Sequence, residues 1–148
     1  MVNFEKLQNS IKGYDSLREE LIKKSRDVLK LSKQLIYSVH RDDLAQAEEL
    51  LNEIEQEKKE LDDIAAKSEK LVFEGSYKIA IQEYVEALLY YHFVKEGELI
   101  DIDVSAVHFV LGLADLPGEL NRRAVFLAGK GEVEAVVKIK DIVDLIYG

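Results

Sequence analysis

The sequence predicts an all-α single domain over residues 1–148, an antiparallel bundle of about five to seven helices. Three observations carry that prediction. Only one Pro and eight Gly stand in a chain of which 33% is charged, a composition that suits long helices better than many short strands. Apolar residues recur at spacings of three and four over long runs. Between the runs stand glycines, aspartates and serines placed as helix stops and caps. The length is enough for one sizeable core. With no Cys, disulfides are excluded, and no secretory leader or membrane-length apolar run can be read, so a cytoplasmic protein with no membrane contact is expected.

The first helix is predicted from Val2 to about His40, with a bend near Gly13 where Asp15 or Ser16 could cap a second segment. Leu17, Leu21, Val28, Leu31, Leu35 and Val39 form its apolar stripe. At a hundred degrees per residue, Lys23, Arg26, Lys30, Lys33, Tyr37 and Arg41 fall together on the roughly opposite face. Such a stripe is either a solvated outer face or a surface for a polyanion. The formal net charge of −9 argues against the second, but its distribution argues back. The first 41 residues hold nine Lys/Arg against five Asp/Glu, the remainder eleven against twenty-four. A local basic face decides binding, not the total. Tyr37 adds a ring able to stack on a base.

Asp42 or Asp43 can cap a second helix, predicted to run to about Phe73 and to close a hairpin. Its core positions are Leu44, Ala47, Leu51, Ile54, Leu61, Ile64, Ala65 and Leu71, while Glu48, Glu49, Glu53, Glu55, Glu57 and Glu60 make a face expected to be solvated. Gly75 and Ser76 read as a stop and a cap. The third helix should then span Ser76 to Glu96 and end at Gly97. Residues 98–103 read as an extended connector, since a lone strand has no partner.

Ser105 or Asp103 starts a fourth helix, in which Gly112 would let a neighbouring helix or a ligand come close. Pro117 should kink it or mark a new first turn. Gly129 and Gly131 end it. A fifth helix from about Glu132 to Tyr147 carries more apolar residues than one exposed helix leaves in water, through core packing or a subunit interface.

The third helix is the unusual one. Between Ile81 and Val94 nearly every residue is apolar, yet Glu83 and Glu86 sit inside it on one face. A carboxylate taken out of water must be paired, protonated or bound to a cation. On the fourth helix Asp115 and Glu119 lie one turn apart. If the helices pack face to face, the four acids can converge. Oxygen donors without Cys or paired His suit Mg²⁺ or Mn²⁺, which can activate water and neutralise a phosphate. Arg122 should pair with Glu119, and His92 and His108 should be structural. A carboxylate di-metal oxidase is set aside, because no His follows a Glu at the third position.

The segments QEYVEALLYYHFVK, LGLADLPGEL followed by Arg122, and RDVLKLSKQLIYSVHRDD resemble the translin/Trax family, the QEYVEA form its Trax branch. The resemblance runs from about Ser16 to Tyr147, and the compact chain looks like an archaeal-type member. It implies assembly into a hollow, roughly octameric homo-oligomer and binding of single-stranded RNA or DNA inside. It further implies Mg²⁺-dependent RNA cleavage by acids matching Glu83, Glu86, Asp115 and Glu119. The basic stripe Lys23, Arg26, Lys30, Lys33, Tyr37 and Arg41 matches the family's nucleic-acid contact region. Pro117 departs from the pattern. The expected function is therefore a metal-dependent endoribonuclease, with a non-catalytic translin-like binding protein as the alternative.

Overall fold

In the computed structural model, which describes Met1–Gly148, five α-helices follow one another: α1 (Phe4–His40), α2 (Leu44–Ala65), α3 (Gly75–Glu96), α4 (Ala106–Gly129) and α5 (Val133–Tyr147). A 3-10 turn, Leu71–Phe73, precedes α3. No helix is long and apolar enough to cross a membrane.

Helix α1 is unbroken, so the bend expected at Gly13 is absent. Asn3 caps it by accepting from the Lys6 amide at 3.0 Å, and residues 1–13 stand exposed. Its first ties to the bundle are the Tyr14 hydroxyl donating to Glu74 at 3.0 Å and Arg18 beside the same carboxylate at 3.1 Å. From there Leu21, Val28, Leu35, Ile36 and Val39 are buried. The small buried Ser25 and Ser32 let neighbours approach, and the Ser32 hydroxyl turns back on the Val28 carbonyl at 2.7 Å.

The hairpin into α2 forms through Asp42, in the left-handed region at φ 55°, and through the Asp43 carboxylate, which caps the Gln46 amide. Lys24 reaches Glu57 and Glu60, each at 2.8 Å, so α2 runs antiparallel to α1 and part of the acidic face expected to be solvated is an inter-helix clamp. The carboxylates on either side hold the Lys24 ammonium well above its usual range. Helix α2 ends at Ala65, not near Phe73. After Ala65 the run Lys67–Lys70 offers nothing to bury, and the short turn tucks the fully buried Leu71 into the core instead.

Helix α3 is the axis of the molecule: Ile81, Tyr84 to Tyr91 and Phe93 are all buried. It starts at Gly75, so Ser76 lies in its first turn rather than capping it, and Gly97 ends it at φ 78°. The Tyr77 and Tyr84 hydroxyls bond Asp62 and Glu55 of α2 at 3.2 and 2.9 Å, which makes α2 and α3 antiparallel. The connector after Gly97 contains no strand, as expected, but it doubles back. Tyr77, near the start of α3, meets His108, near the start of α4, with ring centroids 5.9 Å apart. Helices α3 and α4 therefore run side by side in the same direction. Ser105 caps α4, which continues through the buried Pro117 without a break. Gly131, at φ 75°, turns the chain back into α5, whose Ile139 is buried while Val133, Val137 and Leu145 stay exposed.

Candidate functional site

Because α3 and α4 start together, positions at similar depth in each meet. Glu83 and Glu86 are the ninth and twelfth residues of α3, and Asp115 and Glu119 the tenth and fourteenth of α4. The helices touch through Gly112, as its missing side chain suggested. A Cβ there would lie 2.5 Å from Val85 Cγ1 and 2.9 Å from the Gln82 carbonyl oxygen. Neither a buried β-branched side chain nor a helix backbone yields easily. Gly112→Ala is expected to cost about 1–3 kcal/mol, measured by chemical denaturation, and to separate the two pairs of acids.

The four carboxylates form a graded well. Asp115 is exposed, Glu83 and Glu119 are half-buried, and Glu86 at the bottom is only 6% exposed. Burial, and after it the charge of Glu83 and then of Glu119, pushes the Glu86 carboxyl up to about 8. Burial raises Glu83 as well. A hydrogen bond from Glu86 and the nearby Lys33 ammonium pull the other way, while Glu119 and Asp115 add to the rise. Burial and the neighbouring carboxylates thus favour the protonated form of Glu86, with Glu83 as its neighbour on the same face of α3.

Two of the acids are held from outside the four. The Gln82 amide donates to Asp115 at 2.6 Å, and His40 Nε2 meets Glu119 at 2.6 Å. Hence Glu119 does not pair with Arg122, which is exposed; the α1 histidine takes that role. All candidate donors are carboxylate oxygens, the chemistry that Mg²⁺ and Mn²⁺ prefer, and a cation would relieve the repulsion that ionising both Glu83 and Glu86 brings. No three of these side chains converge on one point at coordination distance.

All six residues of the basic stripe, Lys23, Arg26, Lys30, Lys33, Tyr37 and Arg41, are on α1 or at its C-terminal cap, with Tyr37 and Arg41 exposed. The stripe borders the acids rather than lying across the molecule from them, since Lys33 acts on Glu83 and His40, two turns on, bonds Glu119. The other histidines lie elsewhere. His92 packs edge-on against Tyr91 with ring centroids 5.1 Å apart, and His108 sits on Tyr77 and Ser105. A cavity of about 690 Å³ lined by Phe73, Tyr77, Val107 and His108 contains none of the four acids. Gln82 and His40 escaped the sequence reading. The one signal for His40 was its position seven residues beyond Lys33, on the same edge of the helix.

The Translin family model matches residues 16–106 of the chain. The chain belongs to the Translin family. It is similar to Translin-associated protein X of Pongo abelii, 24% identical over 99% of this chain and 66% of the relative. An uncharacterized protein of Methanocaldococcus jannaschii is 35% identical over 89% of this chain and 60% of its own length. The Schizosaccharomyces pombe homolog of Translin-associated protein X is 24% identical over 98% of this chain and 69% of the relative. This Translin-family chain thus spans 66% of the Pongo abelii relative. Among solved structures, apo-NeC3PO superposes with a TM-score of 0.90 at 27% identity, covering 99% of this chain and 80% of that one. The fold also matches the AfC3PO chain solved with duplex RNA, with a TM-score of 0.90 at 24% identity over 99% of this chain and 76% of that one.

Proposed function

We propose that this Translin-family chain is a metal-dependent endoribonuclease acting on single-stranded RNA within a homo-oligomeric shell. The observation that carries it is the well of four carboxylates, Glu83, Glu86, Asp115 and Glu119, of which Glu86 is only 6% exposed. Such an arrangement is costly to maintain for packing alone. When bound there, Mg²⁺ or Mn²⁺ would supply positive charge to the phosphodiester and make water more acidic.

The chain's own residues divide the remaining work. Glu86 and Glu83 would present carboxylate oxygens at the bottom of the well. Asp115, at its exposed rim, turns inward from Gln82, and Glu119 is kept in place from α1. Lys33 stands between well and stripe, where it can hold the phosphate beside the scissile one, while Lys23, Arg26, Lys30 and Arg41 track the backbone and Tyr37 offers a ring to a base. The exposed Phe4, Leu7 and Ile11 of α1, Val125 and Phe126 of α4, and Val133 and Leu145 of α5 supply the apolar surface that assembly would cover. A native mass of eight chains is expected, and a monomer would remove the shell from the proposal.

RNA connects this reading with AfC3PO, whose structure was solved with duplex RNA. The direct test incubates the purified chain with labelled single-stranded RNA in Mn²⁺, in Mg²⁺ and in EDTA, with a catalytically disabled variant prepared in parallel to control for contaminating nucleases. Cleavage in both metals and none in EDTA is expected. An intact strand in every lane would contradict it. Non-catalytic binding of single-stranded RNA or DNA is the second reading, favoured by the engagement of Asp115 and Glu119 with Gln82 and His40, and the same assay separates the two.

A further inference from the structure

Behind Glu119 lies a chain of hydrogen bonds that crosses three helices. Asp42, in the α1–α2 turn, accepts from Arg123 Nη1 of α4 at 3.0 Å. Arg123, so anchored, sets its positive charge near Tyr90 of α3. The Tyr90 hydroxyl lies 3.0 Å from His40 Nδ1, and His40 Nε2 lies 2.6 Å from Glu119. Tyr90 is fully buried, His40 keeps only 14% of its side chain exposed, and the two rings tilt together at 5.1 Å.

The proton positions follow from donor chemistry. A carboxylate can only accept, so His40 Nε2 donates to Glu119. The Tyr90 hydroxyl, with its own proton to give, faces the other ring nitrogen, Nδ1. With Nδ1 accepting, a neutral imidazole carries its proton on Nε2, which points at Glu119. Burial pushes the Tyr90 hydroxyl up to about 12, so that proton stays in place. One tautomer is thereby selected without any change of protonation. The carboxylate of Glu119 receives a directed donor on Oε2, and no side chain bonds its other oxygen.

We infer that His40 is a positioning residue that orients Glu119 for cation binding, with Tyr90 fixing its tautomer. This rests on the reading of the four acids as the metal site. Groups that orient a ligating side chain typically change metal affinity by about 10–100-fold when removed. Packing alone does not account for the order Tyr90, His40, Glu119, because replacing any member by an apolar residue of equal size would fill the same space.

The test compares wild type, His40→Ala, His40→Gln and Tyr90→Phe by Mn²⁺ titration followed by electron paramagnetic resonance of free Mn²⁺, with circular dichroism melts as a check of folding. His40→Ala is expected to weaken Mn²⁺ binding at least about tenfold. His40→Gln, which can still donate from its amide, should recover part of the loss. Tyr90→Phe keeps the ring volume and frees the imidazole to change tautomer, so it should weaken Mn²⁺ several-fold while the single-strand affinity measured in EDTA stays at the wild-type value. A wild type that binds Mn²⁺ alongside folded His40→Ala and Tyr90→Phe variants of equal affinity overturns the inference alone. A wild type that takes up no Mn²⁺ overturns the metal reading and this inference with it.

Discussion

Replacing Glu86 by Gln is expected to lower RNA cleavage by at least about a hundredfold, the scale on which losing one preorganised electrostatic group acts, with single-strand affinity retained. The amide keeps the shape and a donor toward Glu83 but removes one of the negative oxygens at the bottom of the well. The same substitution has a second signature that needs no metal. In the folded chain the Glu86 carboxyl is raised from 4.5 to about 8, so between these values the native state holds a proton that the unfolded state has lost. The part of the stability linked to Glu86 should be full below about pH 4.5 and be lost as the pH rises through about 8. The fall reads as a lower Tm at the higher pH. Glu86→Gln should flatten that decline. Melting curves in EDTA at pH 5 and pH 8 check it. An equal decline in both proteins would place the titrating group elsewhere, and undiminished cleavage by the variant would remove Glu86 from the chemistry.

Reversing the charge of Lys30 and Lys33 together should raise the Kd for single-stranded RNA at least about tenfold at roughly 0.1 M salt. The slope of log K against log salt should shrink by about 1.4, roughly 0.7 for each phosphate that is no longer neutralised. Fluorescence anisotropy over a salt series measures both. Lys33 carries an additional effect. Its ammonium opposes the rise of the Glu83 carboxyl, so a glutamate at 33 adds a negative charge beside the well, whereas one at 30 alters the stripe alone. The single variant Lys30→Glu should therefore weaken binding while the cleavage rate of bound RNA stays near wild type. An unchanged Kd in the double variant would make the stripe an ordinary solvated face.

Helix positions were legible because they depend on local spacing and caps. Asp43, Ser105 and Gly97 sit at the ends that the sequence marked for them. The expected bend at Gly13 failed because a lone glycine weakens a helix without breaking it when the flanking residues are good helix formers. The end of α2 was misplaced because the apolar residues around Leu71 look the same whether carried on a helix or tucked in by a tight turn. Pro117 was expected to interrupt α4, yet a proline forfeits one backbone bond, which the buried packing around it on α4 can offset.

The four acids could be chosen from the sequence because burial makes carboxylates on an apolar helix conspicuous. Their surroundings could not. That His40 rather than Arg122 meets Glu119 depends on the connector doubling back, which sets α3 and α4 in the same direction and brings the far end of α1 against the middle of α4. Nothing in the local spacing of residues 98–103 encodes that path. The touch at Gly112 was anticipated as a close approach, but its partners Val85 and Gln82 became identifiable only once the direction of α4 was known.

The anomalous difference map of a crystal soaked in Mn²⁺ is the measurement closest to the central claim. A peak about 2.1 Å from oxygens of at least three of Glu83, Glu86, Asp115 and Glu119, with Asp115 swung away from Gln82 and Glu119 still bonded to His40, is the predicted result. No peak among these side chains at saturating Mn²⁺, with Glu86 still hydrogen-bonded to Glu83, would contradict it.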